Sequence, residues 1–308
     1  MDGESQEQLV SKIQYKNFEP GEFIDRQERT CAQTIALIEQ FPWETERDHL
    51  VVSLTNPSIT IEGPGGDYLK LALYYNGKFV LHYLDQKHHL YTKSLPKYQD
   101  AFPIIQSFFA NTPFDPQELK QEASLLQERL PHFADGNFQY RISTGRTLWF
   151  GFPFLFILPL MLLVDIVLLI KKNTSQPGSI IFLTVFILLL SGIFILQLFN
   201  HYWYSRNLVL TMTKGNDLFY FGPSEHPKAF NKKDILNLTT HGSRGRGGSF
   251  EGNLLREEIN FTDGRSINIS TILIGHGLLL DKLPGIPLKE EREFFPFLSI
   301  PPSAAIPS

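Results

Sequence analysis

The chain has 308 residues, of which 43% are hydrophobic and 19% are charged, and its formal net charge is −4. This length is sufficient for about two domains. The charge is distributed unevenly, because residues 1–147 carry a net charge of −6 and residues 201–308 a net charge of +1. An acidic first half disfavours nucleic acid as a ligand, so we predict no nucleic-acid partner.

The residues with reactive side chains do not form a recognisable active site. Cys31 is the only cysteine, which excludes an intramolecular disulfide framework and fits a reducing compartment. The sequence contains no Gly-rich phosphate loop, nucleophile elbow or His-Glu-x-x-His motif. His82, His88 and His89 are close in sequence, but adjacent residues on a strand point to opposite faces. We therefore predict no catalytic residue, no metal site and no cofactor.

The first flank, residues 1–131, has the pattern of an α+β domain with a single sheet. Apolar residues recur at helical spacing from position 24 to position 41, which predicts an amphipathic helix there. Strands follow, because residues 58–63 and 68–75 alternate apolar and other side chains with a period of two. Asn76-Gly77 then separates two alternating runs and predicts a hairpin with a type I′ turn.

Two helices complete this domain in the prediction. Residues 90–95 form a further strand, and Pro96 begins a helix that places Tyr98, Phe102, Ile105 and Phe109 on one stripe. A second helix is predicted from residue 116 to residue 130. This order indicates one sheet with helices on one face. In outline the domain is similar to some small single-sheet bacterial immunity proteins, and that similarity implies a binding role.

Two apolar runs follow the predicted linker at 132–147. Residues 148–170 contain Asp165 as their only ionisable group, and residues 180–200 contain none. Each run matches the ~20 residues that a helix needs to cross the hydrocarbon core of a bilayer. The short polar loop at 171–179 makes them a transmembrane hairpin. The alternative is a pair of buried helices in a soluble protein, which would need a larger surrounding domain.

Basic residues near the two spans predict the orientation of the hairpin. Five lie in the flanks and two in the loop. They are Arg129, Arg141, Arg146, Arg206 and Lys214 in the flanks, and Lys171 and Lys172 in the loop. This excess places both flanks in the cytoplasm. We therefore predict a multi-pass protein of a bacterial inner membrane.

Asp165 needs a partner if it lies in lipid, because a carboxylate in a span is costly. In an antiparallel hairpin, Thr184 falls near the same depth and can donate a hydrogen bond to it. Gly192 falls near Pro159, where a glycine permits close approach of the helices. A structural hydrogen bond or a contact between protomers of a homo-oligomer is one role for Asp165, and ion translocation through an oligomeric pore is the alternative.

The second flank, residues 201–297, is mostly strands. Residues 207–215, 217–222 and 235–240 are strand-like, Asp263-Gly264 marks a hairpin, and residues 278–283 form a short helix. Strands directly after a membrane hairpin, a Lys-Lys-Asp-Ile step, a polar loop, an Asp-Gly hairpin and a closing helix resemble the bacterial membrane-linked pleckstrin-homology-like domains. The resemblance covers residues 208–297, and it implies a binding or scaffolding module beside a membrane. Residues 298–308 are rich in Pro, Ser and Ala and are predicted to be disordered.

Basic residues of this flank suggest a site for an anionic lipid headgroup. Arg244 and Arg246 lie in a glycine-rich loop whose backbone N–H groups can surround an anion, and Lys228, Lys232 and Lys233 are candidates to join them. The alternative is a solvated hairpin loop. Glu251, Glu257 and Glu258 would weaken such a site.

Together these patterns predict a two-span integral membrane protein that works by binding. Its partners would be the lipid bilayer and a protein that contacts the acidic first flank. One alternative is a membrane-anchored immunity or regulatory protein that neutralises a toxin. A further alternative is an enzyme whose site is not recognisable from the sequence.

Overall fold

A computed structural model describes residues 7–48, 53–110, 114–122, 129–152, 158–170, 177–242 and 254–299. The chain divides into two compact units. The first unit is Met1–Asn137 with Thr213–Gly215, and the second unit is Phe138–Met212 with Asn216–Ser308.

The first unit contains one antiparallel sheet. Its strands are β1 (Gln8–Gln14), β2 (Ile24–Thr30), β3 (Ser58–Glu62), β4 (Tyr68–Leu73), β5 (Phe79–Leu84), β6 (Leu90–Leu95) and β7 (Lys120–Gln121). They lie in the order β2-β1-β3-β4-β5-β6-β7. The single sheet agrees with the prediction for this flank, although β1, β2 and β7 were not predicted as strands.

Helices α1 (Cys31–Gln40), α2 (Trp43–Glu46) and α3 (Phe102–Ala110) contribute to the same apolar core as the sheet. Ile38 of α1 and Ile105 of α3 are buried with Leu71 and Leu81, which lie opposite each other on β4 and β5. A 3₁₀ helix, Tyr98–Ala101, leads into α3. The helix that begins near Pro96 is therefore present, with its first turn tighter than an α-helix.

The predicted helix over residues 24–41 is wrong in its first part. Ile24–Thr30 is strand β2 and pairs with β1, so that Ile24 lies opposite Ile13. The helix begins only at Cys31, because Thr30 and Gln33 form a capping box in which each side chain accepts from the other residue's backbone N–H.

The hairpin at Asn76-Gly77 is confirmed. β4 and β5 pair antiparallel on either side of it. Asn76 has φ +52° and Gly77 has φ +74°, and the Lys78 N–H donates to the Tyr75 carbonyl at 3.0 Å. Positive φ at both central positions is what a type I′ turn requires.

The predicted helix at 116–130 is also wrong where the structure describes it. Lys120 and Gln121 form β7 and pair with Thr92 and Tyr91 of β6. Leu119 is buried in the main core. Residues 123–128 lie outside the described residues, and a 3₁₀ helix follows at Leu130–His132.

A row of polar side chains crosses the face of the sheet opposite to this core. Lys12, Thr60, Lys70 and His82 are cross-strand neighbours on β1, β3, β4 and β5, and all four are buried. Three oxygen acceptors surround Lys70 Nζ: Gln14 Oε1 at 2.8 Å, the Leu54 carbonyl at 2.7 Å and the His132 carbonyl at 2.9 Å. Lys70 thus links β1, the segment before β3 and the segment after β7 to the central strand β4.

The charges in this row affect one another. Burial lowers the pKa of Lys70, and the charge of Lys12 lowers it further. Lys12 itself is paired with Glu62 at 2.5 Å and Asp135 at 3.3 Å. Burial, with a contribution from the charge of Lys70, lowers the pKa of His82 to about 3. The imidazole of His82 is therefore neutral at physiological pH.

The second unit contains two four-stranded sheets. Its strands are β8 (Gln139–Tyr140), β9 (Leu208–Thr211), β10 (Leu218–Pro223), β11 (Lys228–Asn231), β12 (Ile235–His241), β13 (Arg256–Phe261), β14 (Ser266–Ser270) and β15 (Leu288–Glu291). The orders are β11-β10-β9-β8 and β14-β13-β12-β15. Leu210, Phe219, Ile259 and Ile269 from these strands share one core with Leu279.

The helices of this unit are α4 (Thr144–Phe152), α5 (Leu158–Ile170), α6 (Pro177–Ser205) and α7 (His276–Lys282). Residues 153–157 and 171–176 lie outside the described residues, so the first predicted span is described in two pieces. Within the described part of the chain, one helical segment, Thr184–Ser205, is long and apolar enough to cross a membrane. The hairpin at Asp263-Gly264 is confirmed by the pairing of β13 with β14.

Two boundaries differ from the prediction. Residues 132–147, expected to be a linker, include strand β8, the start of α4 and Phe133, which is fully buried. The tail was expected to be disordered from residue 298, but Leu298 is only 2% exposed. Residues 300–308 lie outside the described residues.

Candidate functional site

Helix α6 has two kinds of surface along its length. From Ile181 to Leu196 its described side chains are mostly apolar and many are exposed, with Phe182 at 73%. From Gln197 onward the helix has a buried polar stripe. It consists of Gln197, His201 and Ser205, which are spaced four residues apart and therefore lie on one face. One end of α6 therefore has an exposed apolar surface, and polar side chains are buried at the other end.

His201 is the central contact of the polar stripe. Its Nε2 lies 2.6 Å from the Pro296 carbonyl, and its Nδ1 lies 2.7 Å from Ser270 Oγ. A carbonyl can only accept, so Nε2 carries the proton and Nδ1 accepts from the serine hydroxyl. Ser270 Oγ in turn accepts from the Ile272 N–H. A neutral imidazole satisfies all of these bonds.

Further hydrogen bonds hold the same end of α6. Asn200 bonds Leu298 twice, donating from Nδ2 to the carbonyl at 3.0 Å and accepting from the N–H at 2.8 Å. The Tyr204 hydroxyl donates to the Asn268 carbonyl on β14 at 3.0 Å. The last two turns of α6 are thus fastened to the β-rich part of the second unit.

Helix α4 is also fastened to this β-rich part. Arg146 Nη1 donates to the carbonyls of Ile272 and Leu273, at 3.2 Å and 2.9 Å. Trp149, three residues further along α4, is exposed. Trp203 and Arg206 are also exposed, and the guanidinium lies 3.7 Å from the ring centroid. Exposed Trp and Arg at one end of an apolar helix are typical of a membrane–water interface.

Thr184 and Asp165 are in contact, as expected from their similar depth in an antiparallel hairpin. Thr184 Oγ1 donates to Asp165 Oδ2 at 2.8 Å, and this bond joins α6 to α5. Gly192 does not have the role expected for it, because a Cβ there would meet open space among the described residues.

The described structure places the three candidate headgroup lysines at the two ends of β11. Lys228 begins β11 opposite Phe221, whereas Lys232 and Lys233 follow the other end of that strand. Lys232 is buried, and Lys233 is paired with Asp217 at 2.5 Å. Arg244 and Arg246 lie outside the described residues.

The acidic residues expected to weaken this site have other roles. Glu257 is fully buried, where it accepts from Thr240 Oγ1 at 2.7 Å and lies 2.7 Å from His276 Nδ1. Glu258 lies 2.9 Å from Nε2 of His241. Glu251 lies outside the described residues.

His241 is the centre of a charged cluster that the sequence did not indicate. Its Nδ1 lies 3.2 Å from both Glu291 and Glu293. These three residues place their ligand atoms within 4.8 Å of one another, as a metal site does. Arg256, however, bonds Glu293 at 2.8 Å and supplies a positive charge there. The cluster fastens residues 291–293 to β12 and β13.

The first unit has a cleft of about 480 Å³. Its walls include Trp43, Phe79 and Tyr98, and Arg47 lies with its guanidinium 5.1 Å from the Phe79 ring centroid. Aromatic walls with a few charged groups are typical of a surface that binds another molecule.

Comparison with known proteins identifies one part of the chain. A family model described as a PH domain matches residues 139–282. The match begins at the first residue of β8 and ends at the last residue of α7, so it includes the apolar helices between β8 and β9. No curated protein and no solved structure matches the chain. The C-terminal part of the chain therefore contains a PH-like domain, which extends further upstream than residue 208.

Proposed function

We propose that this protein is a two-span membrane protein that holds a PH-like binding or scaffolding module at the cytoplasmic surface of a bilayer. The observation that carries the proposal is the divided surface of α6. An apolar, exposed stretch is followed by a polar stripe in which Gln197 and His201 are hydrogen-bonded to Leu254 and Ser270 of the PH-like domain.

The length of α6 fits this role. Its 29 residues extend about 43 Å at 1.5 Å per residue, which exceeds the ~30 Å of hydrocarbon. The first 20 residues, 177–196, would fill the hydrocarbon, and the stripe that begins at Gln197 would emerge from it. Exposing a large apolar side chain to water costs about 1.5–3 kcal/mol relative to burial. Lipid around the exposed side chains of α6 removes that cost.

The position of β8 supports an even number of crossings. β8 precedes the apolar helices and β9 follows them, yet Tyr140 of β8 pairs with Leu210 of β9. A chain that leaves this sheet through a membrane must return to the same side. If α6 crosses, then residues between β8 and α6 must cross as well, and α5 with its bond to Thr184 is the described part of that segment.

Cysteine labelling tests the membrane topology. In a Cys31→Ser background, Ser175→Cys should react with an impermeant thiol reagent added to intact cells, and Lys214→Cys should react only after the membrane is opened. Labelling of Lys214→Cys in intact cells would indicate the opposite orientation in the membrane. Equal labelling of both would contradict a two-span arrangement.

We further propose that the first unit binds a protein partner through its cleft and that the protein is not an enzyme. The acidic charge of the first flank and the aromatic walls of the cleft support this role. A photo-crosslinking amino acid at Gln99, an exposed residue of the cleft, should capture a discrete partner in cells. The same group at the exposed Lys87 is the control. Equal capture at both positions would contradict a role for the cleft.

A further inference from the structure

Residues 293–299 follow β15 and lie along the polar end of α6. The Pro296 carbonyl accepts from His201, and Leu298 is bonded twice by Asn200. The side chain of Leu298 is 2% exposed. The backbone of this segment is therefore fixed to the helix, and its position along α6 is defined.

Two of the three aromatic side chains of the same segment are exposed. Phe294 is 85% exposed and Phe297 is 42% exposed. Single exposed apolar residues are common on soluble proteins. Here, however, two aromatic residues are exposed on a segment whose backbone and whose Leu298 side chain are held in place.

The position of these rings along α6 indicates which environment surrounds them. The ring of Phe295 lies 5.2 Å from the ring of Phe194, edge to face. Phe194 belongs to the apolar stretch of α6 and lies seven residues before His201, which corresponds to about 10 Å along the helix. Residues 294–297 therefore extend from the polar stripe toward the part of α6 that faces lipid in the proposed function.

We propose that residues 294–297, the aromatic segment, insert into the interfacial layer of the bilayer as a second membrane contact beside α6. This inference rests on the proposed function, because it requires α6 to cross the membrane. Aromatic rings are favoured at this depth, where apolar surface meets headgroups. The acidic group next to the aromatic segment is already paired, since Glu293 bonds Arg256 and His241.

The consequence is a fixed orientation of the PH-like domain. A domain attached only through two adjacent helices can still tilt relative to the bilayer. A second membrane contact beside these helices restricts this tilt and presents one surface of the domain to the cytoplasm.

Spin-label accessibility tests the aromatic segment. In a Cys31→Ser background, a nitroxide is attached to Phe294→Cys in the full chain, in nanodiscs of phosphatidylethanolamine and phosphatidylglycerol. Oxygen concentrates in lipid and a nickel chelate stays in water, so their accessibilities report the environment of the label. Phe182→Cys on α6 is the lipid reference. Leu236→Cys is the aqueous reference, because Leu236 is 55% exposed and lies near the end of β12 opposite to His241.

We expect the ratio of oxygen to nickel accessibility at position 294 to exceed that at position 236 several-fold and to approach that at position 182. Phe297→Cys is the second variant and should give the same order. An aqueous ratio at 294 and 297 with a lipid ratio at 182 would overturn the inference and leave the proposed function standing. An aqueous ratio at 182 would overturn the membrane role of α6 itself.

Discussion

Thr184 on α6 donates a hydrogen bond to Asp165 on α5, and the two oxygens lie 2.8 Å apart. Asp165 is the only ionisable residue of positions 148–170. The bond gives the carboxyl group a partner on the neighbouring helix, which is the solution that apolar surroundings require.

Removing the donor should weaken the pairing of α5 with α6. We expect Thr184→Val to lower the free energy of helix separation by about 0.6 kcal/mol, and at most about 1.7 kcal/mol, as for other hydrogen bonds between helices in membranes. Reversible unfolding in detergent measures this change. Asp165→Leu combined with Thr184→Val should be less destabilised than Thr184→Val alone, because no carboxyl group then lacks a partner. Additive effects of the two substitutions would contradict a direct bond.

The two bonds between Asn200 and Leu298 hold residues 293–299 to α6. Asn200→Leu removes both, and we expect a loss of about 2 kcal/mol at roughly 1 kcal/mol per bond. Hydrogen–deuterium exchange of a peptide that covers residues 293–299 should become more than tenfold faster. Phe199→Leu changes an exposed neighbour and serves as the control. Equal exchange in both variants would show that the segment is held by other contacts.

Lys70 is predicted to stabilise the first unit through its three acceptors. Lys70→Met leaves the buried carbonyls of Leu54 and His132 without this donor, so we expect the free energy of unfolding to fall by about 3 kcal/mol. Trp43 fluorescence measures it during urea unfolding once Trp149 and Trp203 are replaced by Phe. Lys93→Met, which removes only a pairing with the exposed Glu118, should cost less than about 1 kcal/mol. A similar cost for both lysines would refute the fastening role of Lys70.

The neutral state of His82 predicts a dependence of stability on pH. Its folded pKa is about 3 and its unfolded pKa about 6.5, so below pH 6.5 the unfolded state binds a proton that the folded state does not. The free energy of unfolding should therefore fall as pH falls from about 6.5, by at most about 1.4 kcal/mol per pH unit. The Trp43 assay measures this slope. His82→Gln should reduce the slope without abolishing it, because the pKa of His132 is also lowered by burial and by Lys70. An unchanged slope would be evidence against this role.

Local signals predicted the elements whose residues interact within a short stretch of chain. The hairpin at Asn76-Gly77 is one example, since its turn residues and both strands lie within 17 residues, from Tyr68 to Leu84. Strand β2 was missed because its residues are mostly polar and exposed, and it is a strand only through pairing with β1. Strand β8 has two residues and pairs with β9 across the whole apolar region. No periodicity exists in a strand of that length.

The contacts of the candidate site also divide into those that sequence position predicts and those that it does not. Asp165 and Thr184 could be matched from helix geometry, because depth in an antiparallel hairpin depends only on sequence position. The contacts of His201 and Asn200 could not, since Pro296 and Leu298 lie almost 100 positions away. Lys228, Lys232 and Lys233 are near one another in sequence, but the length of β11 separates the first from the other two.

The pairing of β8 with β9 also has a consequence for biosynthesis. Residues 139–140 leave the ribosome before either apolar helix, and their partner strand is made only after α6 is complete. The first sheet of the PH-like domain therefore cannot be completed until both apolar helices and β9 have been synthesised. Strand β8 therefore remains without its partner strand until both helices have been synthesised.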